Sequence, residues 1–128
     1  MLRHVLAVIL SALFGSTLST LLLIAWSGGT GTEDPIGFFV GFTLATLIFT
    51  IPGCVLLMYL TLSLAEAGWA RRKTMTLLLF AGPIAGAAMS MLFGTLVALS
   101  LDAFYGLVTA ATFVASLHLL RCYPARTT

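Results

Sequence analysis

Apolar residues dominate four long segments of the chain, and short stretches of polar or small residues separate these segments. About 20 consecutive apolar residues are enough to cross the hydrocarbon core of a bilayer as an α-helix. Each segment has about that length, so the pattern predicts four transmembrane helices, called spans one to four. Their approximate limits are residues 5–26, 36–65, 75–99 and 103–120.

The loop between spans one and two is rich in Gly and Thr and ends with Glu33 and Asp34. Asp34 followed by Pro35 predicts a helix start, because the carboxylate can accept from free backbone N–H groups and proline suits the first helical position. Span two is longer than a straight crossing requires, and Pro52 with Gly53 predicts a kink within it.

Two further stretches predict turns. After Glu66, Gly68 is suited to a left-handed helix end and Trp69 to the headgroup region of a membrane. Ser100-Leu101-Asp102 is the only break between spans three and four, which predicts a tight hairpin capped by Ser100 or Asp102.

The basic residues all fall on one side of a four-span arrangement. They are Arg3, Arg71, Arg72, Lys73, Arg121 and Arg126. The other side carries only Glu33, Asp34 and Asp102. The positive-inside rule then places both termini and the central loop at residues 71–73 in the cytoplasm. The expected fold class is an all-α integral membrane four-helix bundle: two transmembrane hairpins, N-in and C-in, in a single domain over residues 1–128.

Composition agrees with a membrane protein. Hydrophobic residues make up 60% of the 128 residues and charged residues 8%, whereas soluble domains are about 25% charged. So short a chain cannot hide that much apolar surface from water. The net charge of +2, without a basic groove, excludes nucleic acid as a partner. Arg outnumbers Lys, and Ala and Gly are plentiful, which favours a bacterial inner membrane.

Span one has an alternative interpretation as a cleaved signal peptide. Arg3 would be its charged region and Ala25-Trp26-Ser27 its cleavage site. The apolar stretch is longer than the usual hydrophobic region of a signal peptide, which runs to about 7–15 residues. A retained span is therefore favoured.

Small residues at a spacing of four predict where helices approach closely, because they let two backbones come together. These rows are Gly37, Gly41 and Ala45 in span two, Gly82, Gly86, Ser90, Gly94 and Ala98 in span three, and Ser11, Gly15 and Ser19 in span one. Span two also carries a threonine arc roughly opposite its glycines, so we expect it to be the central helix.

Hydroxyl side chains form a second pattern. Those that share one arc are Thr43, Thr46 and Thr50 on span two and Tyr105, Thr109, Thr112 and Ser116 on span four. The favoured interpretation is hydrogen bonding within and between helices. The alternative is a polar path between spans two and four, lined by Thr43, Thr46, Thr50, Thr109 and Thr112 and narrowed at the Pro52–Gly53 kink.

Candidate chemistry is sparse. No cluster of His, Cys, Asp or Glu has the spacing of metal ligands or of a catalytic site, so we expect no catalytic, metal or cofactor residues and no enzyme activity. Cys54 is expected to be an inert packing residue and Cys122 a free thiol, with acylation as its alternative. His118 and Glu66 are expected toward the same end of the bundle, as an interfacial pair or as two solvated side chains.

The favoured function is a non-catalytic membrane component, either an accessory subunit or a protein that associates with itself. Its partners would be membrane lipid and a second copy or another membrane-protein subunit. The alternative function is a small transporter or channel subunit that uses the polar path.

Overall fold

The computed structural model describes residues 1–29, 31–92 and 99–121, and of residues 89, 90 and 99 only the backbone. The described residues form four α-helices: α1 (Leu2–Ser27), α2 (Pro35–Glu66), α3 (Arg71–Leu92) and α4 (Leu99–Leu119). Helices α1, α2 and α4 are each long and apolar enough to span a membrane. The described part of α3 is not among the three.

Neighbouring helices run antiparallel. Gly82 of α3 lies against Gly106 of α4, and Gly86, one turn later, lies against the earlier residue Asp102. The same reversal relates α1 to α2, where Ser16 meets Thr50 and Thr20 meets Thr43. The starts of α1 and α3 and the ends of α2 and α4 therefore share one end of the molecule.

The two hairpins, α1–α2 and α3–α4, meet mainly through α1 and α4. Helix α2 packs chiefly on α1 and has only small contacts with α3 and α4. The expectation that span two is central is therefore wrong. In the most apolar 18-residue stretch of α2 only 11% of residues are buried, against 39% in α1 and 33% in α4. Helices α1 and α4, and not α2, join the two hairpins because their small and hydroxyl residues allow these two helices to approach closely.

Two helix starts differ from the sequence-based limits. Arg71, Arg72 and Lys73, called the basic triplet, form the first turn of α3 instead of a loop. Helix α4 already includes Ser100-Leu101-Asp102, so neither polar residue is its N-cap. Asp102 lies in the first turn of α4, where a negative charge favours the positive end of the helix dipole.

The predicted caps of α2 are confirmed. The Asp34 carboxylate accepts a hydrogen bond from the backbone N–H of Gly37 at 2.9 Å, and Pro35 is the first helical residue. At the other end Gly68 has a φ of 78°, and the N–H of Trp69 donates to the carbonyl of Leu64 at 3.0 Å. Helix α2 continues through Pro52.

The apolar core lies near the end that carries the basic triplet. Its members are Ala7 and Ala12 of α1, Cys54, Leu57 and Met58 of α2, Leu78 of α3, and Ala110, Phe113 and Leu117 of α4. Phe113 is the largest fully buried side chain.

Candidate functional site

The closest helix contact is between α3 and α4, at Gly82, Gly86 and Gly106. A Cβ atom at any of the three would lie within 3.0 Å of a backbone carbonyl oxygen of the facing helix, a separation that real Cβ atoms essentially never show. Two of these glycines, Gly82 and Gly86, were expected to pack helices. Gly94 of the same row lies outside the described residues, and so does the side chain of Ser90.

Helix α4 approaches α1 at Gly15. A Cβ at Gly15 would lie 3.0 Å from the hydroxyl oxygen of Thr112 and 3.4 Å from the Cα of Thr109. The Thr112 hydroxyl lies 2.8 Å from the carbonyl of Thr109 and 3.4 Å from that of Ser11 across the interface. Thr109 is buried and Thr112 half-buried, because both side chains pack against α1.

Helix α1 meets α2 through a different pair of its hydroxyl residues. The hydroxyl oxygens of Ser16 and Thr50 are 2.9 Å apart, and both side chains are buried. One turn further along α1, the Thr43 hydroxyl of α2 donates a hydrogen bond to the Thr20 hydroxyl at 3.3 Å. Thr46 donates to the carbonyl of Thr43, in its own helix, at 2.9 Å.

These contacts separate the two threonine arcs from which the polar path was predicted. Thr109 and Thr112 face the side of α1 that carries Gly15, whereas Thr43 and Thr50 face the side that carries Ser16. Helix α1 therefore lies between the arcs. The hydroxyls that form hydrogen bonds to helix backbones or to α1 are those of Thr43, Thr46, Thr50 and Thr112.

Gly37 and Gly41 do not pack against another helix in the part of the chain that the structure describes. A Cβ at Gly37 would meet only the capping carboxylate of Asp34, and a Cβ at Gly41 would have no atom within 4 Å. Ala45, the next member of the row, is also exposed. The physical reason is that α2 turns its threonine arc, and not its glycine row, toward α1.

Two buried hydroxyl groups have no hydrogen-bond partner among the described residues: Ser19 Oγ and Tyr105 OH. Serine at position 19 has no exposed surface. The Tyr105 ring contacts that of Phe42, with centroids 6.4 Å apart. Phe42 in turn stacks on Phe38 at 5.7 Å.

The end of the molecule that carries the basic triplet, called the basic end, contains a contact between Arg71 and His118 and an open recess. Arg71 Nη2 lies 2.6 Å from His118 Nδ1, so His118 pairs with Arg71 of α3 and not with Glu66. Beside it, an open recess of about 500 Å³ is formed by six residues of α3 and the turn before it. They are Trp69, Arg72, Lys73, Thr76, Leu77 and Phe80.

Sequence reasoning missed Gly106, Ser16 and Thr20. Gly106 and Ala110 form a short row at a spacing of four in span four, and this signal could have found the partner of Gly82. Ser16 and Thr20 have the same spacing, one residue beyond the row that contains Ser11, Gly15 and Ser19. Ser16 and Thr20 belong to a second face of α1, which the row of Ser11, Gly15 and Ser19 does not include.

Among the described residues, no group of three or more His, Cys, Asp or Glu side chains is placed to hold a metal ion. Cys54 is a buried free thiol in the apolar core. Cys122 and Arg126 lie outside the described residues. No family model, curated protein or solved structure matches this chain.

Proposed function

We propose that this chain is an integral membrane protein without catalytic activity, whose helix α2 joins it to a second copy of itself. All four helices would cross the bilayer, with both termini in the cytoplasm. The chain would act as a structural component that assembles within the membrane.

Insertion is supported by where the apolar and charged groups lie. Large apolar side chains are exposed along α1, α2 and α4, among them Phe14, Ile48 and Phe104, and water would solvate such a surface poorly. The antiparallel helices gather Arg3 and the basic triplet at one end and Asp34 and Asp102 at the other. That separation suits a molecule with two polar ends and an apolar belt.

Self-association rests on one observation, the uncovered face of α2. This helix is the longest of the four, at 32 residues. Its row of Gly37, Gly41 and Ala45 nevertheless meets no other helix among residues 1–29, 31–92 and 99–121. Val40 and Leu44 beside the row are exposed. Small residues at this spacing, flanked by branched apolar ones, form helix dimers in bilayers because the backbones can approach closely.

The transporter or channel alternative receives less support. It requires the threonines of spans two and four to line one path. Helix α1 lies between these threonines, and Thr43, Thr50 and Thr112 form hydrogen bonds with it. The described recess lies at the basic end and is lined by none of these threonines.

Self-association is tested by energy transfer between donor- and acceptor-labelled copies in vesicles, over a range of lipid-to-protein ratios. Wild-type protein is expected to show transfer above the level for random mixing. Gly41→Leu should weaken the dimer by about fivefold or more, because overpacking a close contact costs about 1–3 kcal/mol. Ala115→Leu, a similar enlargement on the exposed surface of α4, is the control. Equal transfer in wild type and G41L would contradict the proposal.

A further inference from the structure

The three cations of the basic triplet are divided between two faces of α3. Arg71 lies against His118 of α4. Arg72 and Lys73 line the recess instead. Both are exposed, and no ion pair joins either side chain to another described residue. The recess therefore holds two positive charges that no carboxylate of the described chain offsets.

The residues of the recess share one face of α3. Their spacing of three or four, from Trp69 to Phe80, is that of neighbouring rows on a helix. Thr74 and Leu78 lie on the opposite face and are fully buried. Phe80 by contrast is 69% exposed, so the recess opens away from the rest of the molecule.

Polarity changes along this face in one direction. The cations of Arg72 and Lys73 stand in the first turn of α3, and Leu77 and Phe80 follow one to two turns later. At a rise of 1.5 Å per residue, Phe80 lies roughly 12 Å along the axis from Arg72. Trp69 stands at the cationic end, and tryptophan favours the headgroup level of a membrane.

We infer that this recess is a binding site for an anionic glycerophospholipid. Its phosphate would lie between Arg72 and Lys73, and one acyl chain would run along Leu77 and Phe80. Arginine can bind a phosphate through two parallel hydrogen bonds, and lysine adds a point charge. The Thr76 hydroxyl donates to the carbonyl of Arg72 at 3.0 Å, so the cations and the Trp69 indole N–H supply the donors to the phosphate.

Two cations in one recess favour a lipid with net negative charge over a zwitterionic lipid, which brings its own ammonium group. This inference rests on the membrane insertion proposed above, because the acyl chain must lie in hydrocarbon. It is independent of self-association, which uses α2.

The two tryptophans of the chain allow a local test. Trp26→Phe leaves Trp69 as the only tryptophan, at the recess. The protein is placed in vesicles of phosphatidylcholine with increasing phosphatidylglycerol, and either lipid carries bromine on its acyl chains to quench Trp69 fluorescence. We expect phosphatidylglycerol to be preferred tenfold or more. Arg72→Gln or Lys73→Gln should each reduce the preference about fivefold, the effect of removing about 1 kcal/mol per cation.

Three controls identify the site. Trp69→Phe leaves Trp26, which lies at the opposite end of the molecule, with Asp34 and Asp102. This variant should show no preference between the lipids. Glu66→Gln combined with Lys73→Gln restores the net charge of this end but still removes one cation from the recess, so the preference should remain reduced. Free glycerol phosphate at millimolar concentration should not compete, because it lacks the acyl chain.

The possible failures are distinguishable. Quenching by brominated phosphatidylcholine reports insertion whatever the charge of the lipid, so its absence would overturn the proposed function. Quenching without a preference for phosphatidylglycerol would overturn the lipid site alone. A preference restored by E66Q/K73Q would mean that general surface charge acts, and competition by glycerol phosphate would mean a phosphate site; either result contradicts the inference.

Discussion

Gly82 of α3 and Gly106 of α4 face each other across so close a backbone contact that neither position has room for a Cβ atom. A Cβ on Gly82 would collide with the carbonyl oxygen of Gly106, and a Cβ on Gly106 would collide with that of Gly82. Because the obstructing atoms belong to two helix backbones, they cannot turn aside as a flexible side chain would. The distance between α3 and α4 is therefore set by the absence of side chains at these two positions.

Replacing either glycine by alanine should destabilise the protein. For Gly82→Ala and Gly106→Ala we expect a loss of about 1–3 kcal/mol, because the added methyl group forces the helices apart. Denaturant-dependent unfolding in lipid or detergent micelles would measure the change.

Gly53→Ala is the matched control for this prediction. Gly53 is also inside a helix, but a Cβ there would have no atom within 4 Å. Alanine should therefore be neutral or stabilise by about 0.5–1 kcal/mol through its higher helix propensity. Equal losses at Gly53 and Gly82 would show that backbone flexibility, and not the close contact, explains the effect.

The buried serines of α1 should differ in their contributions to stability. Ser16 bonds with Thr50, so Ser16→Ala should cost about 0.6–2 kcal/mol, the range for hydrogen bonds between membrane helices. Ser19 has no partner among the described residues, and Ser19→Ala should be neutral or slightly stabilising, because a buried unpaired hydroxyl is itself unfavourable. The same unfolding measurement compares the two, and a larger loss at Ser19 would contradict the assignment.

Cysteine labelling on intact cells would test the orientation. In a background with Cys54→Ala and Cys122→Ser, Thr32→Cys and Ala70→Cys each supply one exposed thiol at opposite ends of α2. A membrane-impermeant maleimide should label T32C and leave A70C unlabelled until the cells are opened. Labelling of A70C on intact cells would mean that the basic end faces outward.

Hydrophobic length predicted the helices well because it depends only on local composition. Three apolar segments correspond to α1, α2 and α4, and the caps at Asp34 and Gly68 formed as their residue types require. The start of α3 at Arg71 was not foreseen, since a run of cations was interpreted as a loop although Arg and Lys are good helix formers.

The site was less predictable because a row of small residues indicates that a helix can be approached closely but not which helix approaches it. Gly41 and Gly82 carry the same local signal, yet Gly82 faces another helix and Gly41 faces none of the described helices. The threonine arcs were interpreted chiefly as hydrogen-bonding faces, and only the alternative, the polar path, paired them with each other. In the structure both arcs face α1.

Local chemistry thus accounts for where helices begin, how far they run and which end gathers the cations, because each of these depends on neighbouring residues. The order in which helices touch depends on the fit between distant surfaces. Only the folded chain reveals that α1 lies between the threonine arcs of α2 and α4. The same holds for the contact of Gly106 with Gly82 and for the division of the basic triplet, in which Arg71 lies against His118 while Arg72 and Lys73 line the recess. A bilayer gives no preference for one apolar neighbour over another, so shape and hydrogen bonds make that choice.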